Sequence, residues 1–402
     1  MSLVNTLILG QRRKRMNEFR TKKAVSKETF VFLAILIATT VYFGTTMGFD
    51  VMFDVIIKTA HDLLLDTVFK IMAIAVLAGA FAALMTEFGV VSLINKVLSP
   101  IMRPLYNLPG AASLGIITTY LSDNPAIISL TKDKSFTKFF KEHEIPTLCN
   151  LGTAFGMGMV LSFYLFSLNA DFLPAIIVGN LSALIGSIVS VKIMLHHTKK
   201  YYGVTKESER ESSLSAEQLS KVREIRPGNT LERFLEAILD GGKNGVEMGL
   251  AIIPGVLVIC TAVMMLTFGP QGANGEYIGA AYEGVGLFPQ LASYIAPVLE
   301  FFFGFTSTEA VTLPITSLGA VGAAMGMVPR LLDGGLIASN DIAVFTAMGM
   351  CWSGYLSTHV GMMDALGVKR LANKAIISHT FGGLAAGISA NYIYKLVVLV
   401  MG

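Results

Sequence analysis

Seven stretches of this sequence stay apolar over the ~20 residues that an α-helix needs to cross a bilayer. They fall at about 30–48, 67–88, 145–167, 172–194, 246–267, 341–361 and 375–400. In hydrocarbon a backbone must satisfy its own hydrogen bonds, which leaves helices and closed barrels as the spanning structures. Runs of this length therefore dictate an all-α polytopic membrane protein. Charge agrees: Asp, Glu, Lys and Arg make up 15% of the 402 residues, against roughly 25% in soluble domains, whose surface must face water. The basic segment QRRKRMNEFRTKK at 11–23 precedes an apolar run that starts near Phe30. That run begins too late, and lacks a small-residue cleavage site, to be a secretory signal, so it reads as a retained first transmembrane helix.

Two further apolar stretches are interrupted. One, at about 109–130, lies in LPGAASLGIITTYLSDNPAIISL, which starts at Leu108; the other, FFFGFTSTEAVTLPITSLGAVGAAMGMV, covers 301–328. Positive charge decides how they sit, because loops rich in Lys and Arg stay in the cytoplasm. With the N-terminus inside, segment 89–145 lies inside with Lys96, Arg103, Lys132, Lys134, Lys138 and Lys141. The loop 195–245 is also inside, with nine Lys and Arg residues, whereas 268–340 is outside with Arg330 as its one basic residue. Lys369, Arg370 and Lys374 return inside, and the C-terminus ends outside. This pattern holds only if each interrupted stretch enters and leaves on one side. Each is expected to be a re-entrant helical hairpin.

The order span, amphipathic segment, hairpin, span, span then occurs twice with opposite starting sides, an inverted-topology repeat. An offset of 197 pairs Gly89 with Gly286, Pro100 with Pro297, Thr119 with Thr316, Leu121 with Leu318, Ile145 with Ile342, Gly152 with Gly349, and Phe155 with Trp352. The expected organisation is a basic N-terminus and first helix at 1–60, repeat 1 at 61–194, a cytoplasmic linker at 195–245 and repeat 2 at 246–402. The linker sequence SERESSLSAEQLSKVREIRPGN is polar, with room for one short helix. Segments 90–107 and 284–300 are expected to be helices lying along the membrane surface.

Hairpin tips are where chemistry is expected. Non-helical backbone at membrane depth is tolerated where protein or a wet cavity surrounds it, and free half-helix ends suit ions and polar ligands. Tip 1 is expected at Ser122, Asp123, Asn124 and Pro125. Those residues suit either a capped helix start or a ligand or coupling-ion site, since an acid in an apolar stretch is costly. Tip 2 is expected at Thr306, Ser307, Thr308 and Glu309. There the alternatives are a capping box and a direct contact to solute, cation or proton. Asn150, Thr153, Asn180 and Glu247 are further candidates, or polar glue between helices. His359 and Asp364 read as structural groups or parts of a proton relay.

Other functions find little in the residues. The net charge of +3 gives no electrostatic case for nucleic acid. A GxxxxGK[ST] loop is missing, so ATP is not expected to drive the protein directly. HEIPT at 143–147 is not HExxH, and no nucleophile and base pair stands out, so the chain is not expected to be an enzyme. Cys149, Cys260 and Cys351 lie in apolar runs and read as small buried hydrophobes, with a soft-metal path through Cys149, Cys351 and methionines as the alternative. No metal site or cofactor is expected.

LPGAASLGIITTYLSDNPAIISL, the IPTLCNLGTAFGMG that follows and FGFTSTEAVTLPI resemble the nucleoside-recognition, or gate, domain family of membrane proteins, in particular its bacterial YjiH-like members. The resemblance covers about 60–400. Thr308-Glu309-Ala310 also looks like the TEA stretch of a hairpin in concentrative nucleoside transporters, where the acid contacts the nucleoside. The resemblance implies a bacterial inner-membrane protein, homo-oligomeric like related transporters, with Glu309 as a substrate contact and Thr306 and Thr308 beside it. The expected function is secondary transport of a small polar solute, nucleoside-like by resemblance. It would work by alternating access coupled to H⁺ or Na⁺ through Asp123 or Glu309. A non-transporting scaffold or sensor and a passive ion or metal permease are the alternatives.

Overall fold

A computed structural model describes residues 23–204 and 225–401 of the chain. The basic segment up to Lys22 and most of the expected linker, 205–224, lie outside the described residues. Every regular element among those described is helical. Among the described residues six helices are long and apolar enough to cross a membrane: Lys27–Met47, Phe49–Glu87, Thr147–Leu168, Ala170–Tyr201, Thr230–Thr267 and Lys369–Val400. The protein is thus an all-helical, multi-pass membrane protein.

Two compact units divide at Phe53 and Asp54. The first is carried by helix α1, Lys27–Met47, whose apolar side chains Phe30, Phe32, Ile35 and Ile37 are exposed. It stops at Gly48, whose φ of 91° is open to glycine. Helix α2, Phe49–Glu87, follows and includes a π-helical turn at Leu63–Val68.

The second unit holds the remainder. In chain order its helices are α3 (Val90–Tyr106), α4 (Ala112–Leu121), α5 (Pro125–Lys132), α6 (Thr147–Thr153), α7 (Gly158–Leu168), α8 (Leu173–Tyr201) and α9 (Thr230–Thr267). After α9 come α10 (Leu287–Ser293), α11 (Ala296–Phe303), α12 (Thr312–Ser317), α13 (Val321–Asp333), α14 (Ser339–Cys351), α15 (Tyr355–Ala365) and α16 (Ala372–Met401).

Several expected bounds shift for local reasons. The segment 230–245, read as loop, is the start of α9. Asn229 accepts from the Leu231 and Glu232 amides at 3.0 Å each, and Glu232 returns a bond to the Asn229 amide at 2.9 Å. That capping box starts a helix in polar sequence. Helix α2 begins at Phe49 instead of 67 because Val55, Thr59 and Leu63 bury one helical face at four-residue spacing. The expected span at 341–361 is two helices, α14 and α15, broken at 352–354.

Backbone exceptions recur at the spacing seen in the sequence. Left-handed residues Gly89 (φ 81°), Asn107 (56°) and Met157 (54°) have counterparts in Gly286 (62°), Gly304 (62°) and Gly354 (57°), each 197 residues on. The first pair precedes α3 and α10, the second ends α3 and α11, and the third starts α7 and α15. Both segments expected at the membrane surface are helical, the second as α10 and α11. On α3, Val91, Asn95, Met102 and Tyr106 are buried, while Leu93, Val97, Ile101 and Leu105 are exposed. Tyr106 Oη lies 2.6 Å from Ser187 Oγ, tying α3 to α8.

Two helix pairs form the frame. Along α2 and α9, Gly79 faces Gly241, Ala75 faces Gly245 and Met72 faces Gly249, so the helices run antiparallel. Helices α8 and α16 are antiparallel too, with Gly186 against Gly382 and Ser190 against His379. Lipid supplies little hydrophobic drive for helices to associate, so close packing of small residues takes its place.

Candidate functional site

The first helix break falls where the sequence places it, between Leu121 and Pro125. Helix α4 ends as the Ser122 amide and hydroxyl both return to Thr118 O, at 3.1 and 2.7 Å. Pro125 then opens α5, where its missing N–H costs nothing. Asp123 and Asn124 fill the break.

The second hairpin differs. Its two arms are α12 and α13, and they part at Leu318–Ala320, not at Thr306–Glu309. Thr306 follows the left-handed Gly304 that ends α11, and its amide and hydroxyl both donate to the buried Asp341. Thr306–Thr308 therefore belong to the base of the hairpin. Glu309 opens a 3₁₀ turn, Glu309–Val311, and accepts from Thr308 Oγ1 at 3.2 Å.

Both breaks open on one cavity of about 550 Å³. Tip 1 contributes Ser122–Ala126 and tip 2 contributes Gly319–Gly322. The remaining walls are Met157, Ser353, Gly354, Ser357 and Thr358 from the two interrupted spans, and Asn244, Glu247, Met248, Ala251, Ile252 and Gly255 from α9. Four helices, α5, α7, α13 and α15, start at this cavity, turning N–H-rich ends toward it. Its lining includes two carboxylates, Asp123 and Glu247, and no Lys or Arg.

Polar atoms are left over here. Asp123 Oδ1 and Asn124 Oδ1 are buried without a hydrogen-bond partner. Asn124 is 5% exposed, and its Nδ2 donates to Ser353 O and, at 3.4 Å, to Thr358 Oγ1. It thereby couples tip 1 to the break between α14 and α15. Gly156 makes the approach possible: a Cβ there would stand 2.6 Å from Asn124 Oδ1. A buried carboxylate oxygen without a donor is expensive.

Gly354 supplies a backbone test. Its φ of 57° strains any residue with a Cβ, although a Cβ there would meet nothing nearer than Gly319 O at 3.4 Å. Gly354→Ala should cost about 1–2 kcal/mol from backbone strain alone. Gly361→Ala, with nothing within 4 Å and an ordinary φ, should cost nothing by thermal unfolding in detergent; equal effects would refute the strain.

Other sequence candidates lie elsewhere. Thr306, Ser307 and Thr308 line a second cavity of about 500 Å³ with Glu300, Gly304 and Lys395; Glu309 lines neither cavity. Asn150 and Thr153 are fully buried. Asn150 Nδ2 donates to Ser190 Oγ (3.0 Å) and Ala375 O (2.9 Å), and Ser190 Oγ lies 2.9 Å from His379 Nδ1. Thr153 Oγ1 donates to Cys149 O at 2.7 Å. This network binds α6 and α8 to α16. Asn180 donates to Ser162 Oγ and Ile176 O. His359 is buried beside His379, their ring centroids 4.7 Å apart, and Asp364 pairs with Lys369 at 3.1 Å. All three cysteines are buried and free.

Sequence reading missed Gly319–Gly322, Met157 and Ser353–Thr358. A signal existed: 197 residues beyond Ser122–Asn124 lie Gly319–Val321, and AFGMG and CWSGY are related by the same offset.

No protein-family model matches the chain. An uncharacterized protein of Alkalihalophilus pseudofirmus is 22% identical over 310 residues, 75% of this chain and 60% of its own length. The chain thus spans about 60% of the curated relative it matches. Among solved structures, a variant of the concentrative nucleoside transporter CNTnw in an outward-facing state superposes with a TM-score of 0.53 at 16% identity, covering 92% of this chain and 86% of that one. A second outward-facing variant gives 0.54 at 15% identity, covering 92% and 88%. CNTnw in an inward-facing, substrate-bound state gives 0.51 at 16% identity, covering 80% and 73%. The chain is a multi-pass helical membrane protein that shares its fold with these CNTnw structures.

Proposed function

We propose that the protein is a secondary transporter that moves a small polar solute by alternating access, with the cavity between the two tips as its solute site. The observation that carries this reading is the convergence of both helix breaks and both interrupted spans on one 550 Å³ space containing unpartnered carboxylate and amide oxygens. Discontinuous helices meeting between two repeats are the usual construction of such a site. Asp123 and Asn124 accept from solute donors or hold the coupling Na⁺ or H⁺, and the four helix N-termini face its electronegative atoms. The hairpins enter the bilayer from opposite sides and the halves are inverted. Membership of the nucleoside-recognition family and a nucleoside-like solute belong to the same proposal, supported by the shared fold and the TEA stretch at Thr308–Ala310.

An ion-pair cluster stands at one end of the proposed path. A cavity of about 370 Å³ shares Ser122, Asn244 and Met248 with the tip cavity and reaches Arg226. Arg226 and Arg233 grip the buried Glu87 at 2.8 and 2.7 Å, and Arg226 also holds Asp240 at 3.1 Å. Alternating access requires this cluster to part when the site opens toward it.

A thermal-shift screen against nucleosides, nucleobases, amino acids and organic acids, with and without Na⁺, tests the reading. A true solute at 100 times its Kd stabilises by ~2.7 kcal/mol. At the same solute concentration that stabilisation should fall to about 0.9 kcal/mol in Asp123→Asn and survive in full in Glu309→Gln. Loss in Glu309→Gln with Asp123→Asn intact would move the site to the hairpin base, and no stabilising solute would oppose transport.

A further inference from the structure

We propose that a basic pocket at the end of α3 binds a phosphate-type oxyanion, carried by a phospholipid headgroup or by free phosphate. The pocket measures about 260 Å³ and is lined by Arg103, Asn107, Lys141, His143, Glu144 and Lys199. Three elements bring its cations together: the last turn of α3, the 138–146 connection and the last turn of α8. Its one acid, Glu144, is engaged within the protein, accepting from the Lys141 amide at 2.8 Å with Arg103 at 3.8 Å. Burial raises the Glu144 carboxyl above its ordinary pKa, against the pull of that amide and of the nearby cations. Three of the lining side chains, Arg103, Lys141 and Lys199, are cationic and one, Glu144, is acidic. An Arg fork beside lysines is the usual receptor for phosphate.

The other half of the molecule provides an internal comparison. Counting 197 residues on, Asn107 becomes Gly304, and Glu144 becomes Asp341, which accepts from the Ala338 amide as Glu144 does from Lys141. The scaffold is kept, with the left-handed residue and the capping acid in place. Arg103, however, becomes Glu300, and the matching cavity contains Lys395 as its one Lys or Arg. The fold itself therefore does not require a basic pocket, and the charge belongs to one end of the molecule. That end carries the Lys-rich segment expected in the cytoplasm, where bilayers are anionic. Arg103 also shares α3 with the exposed stripe Leu93, Val97, Ile101 and Leu105.

The test uses the full chain in a neutral detergent and follows its thermal unfolding during titration with phosphatidylglycerol, with phosphatidylcholine, and with inorganic phosphate at constant ionic strength. Phosphatidylglycerol should raise the unfolding temperature more than phosphatidylcholine. In Arg103→Gln and in Lys199→Gln the half-saturating concentration should rise about tenfold or more. Lys395→Gln, in the matching cavity, should titrate like the parent. Stabilisation by both phosphatidylglycerol and phosphate assigns the site to the phosphate group itself; stabilisation by the lipid alone assigns it to a headgroup with its chains. No stabilisation by either, or the same titration in Arg103→Gln and Lys199→Gln as in the parent, overturns the proposal.

Discussion

Gly241→Leu should abolish most of the monodisperse protein, whereas Gly242→Leu, one residue on, should leave it intact. A Cβ on Gly241 would stand 2.3 Å from Gly79 O and 2.7 Å from both Gly79 C and Ala83 Cβ. None of these is the end of a flexible side chain, so α2 and α9 must separate. On Gly242 a Cβ would meet Val76 Cγ1 at 3.5 Å, an ordinary contact. Overpacking typically costs 1–3 kcal/mol, and a leucine against backbone lies at or above the top of that range. Separation would also undo the Ala75–Gly245 and Met72–Gly249 contacts further along. Size-exclusion profiles and thermal unfolding of the two variants check this. If both behave alike, the close approach of α2 and α9 is not what holds the two halves together.

Asp123→Asn should weaken binding of the solute found by the screen on the order of 30-fold, the equivalent of ~2 kcal/mol for losing one partner of a buried charged contact. Without solute, the same variant should unfold at a temperature equal to or above that of the parent. Asp123 Oδ1 has no hydrogen-bond partner, and replacing a carboxylate that is buried with one oxygen unpaired by a neutral amide removes a costly charge. Opposite signs for binding and stability mark a residue kept for function at a cost in stability. A purely structural Asp123 would lower both.

Length and apolarity revealed most of the fold. Spans 145–167 and 172–194 start within two residues of α6 and α8, 375–400 lies within α16, and the first helix break falls where Asp123, Asn124 and Pro125 interrupt an apolar run. Those residues are legible because each disfavours helix for its own reason. The second break was not, because Gly319 and Ala320 are small and apolar and resemble the surrounding helix. The polar cluster Thr306–Glu309 drew attention instead, although Thr306 spends its hydrogen bonds on Asp341. Polarity identifies a break only when the break is polar; the 197-residue offset identifies it regardless of composition. Asn150 and Thr153 illustrate the reverse ambiguity. Polar residues inside spans look alike in sequence whether they face solute or, as here, tie α6 and α8 to α16. The GxxxGxxxG series Gly241, Gly245 and Gly249 is legible in the sequence, but its first two glycines fall in the polar segment before the apolar run at 246–267.

Paired cysteines test most directly the claim that the two helix breaks face each other across one cavity. In the parent, with its three buried cysteines in place, Ser122→Cys with Ala320→Cys should be bridged by a short bis-maleimide, and Ser122→Cys with Thr308→Cys should not. Bridging of the Thr308 pair but not the Ala320 pair would return the second tip to Thr306–Glu309 and contradict the site described here.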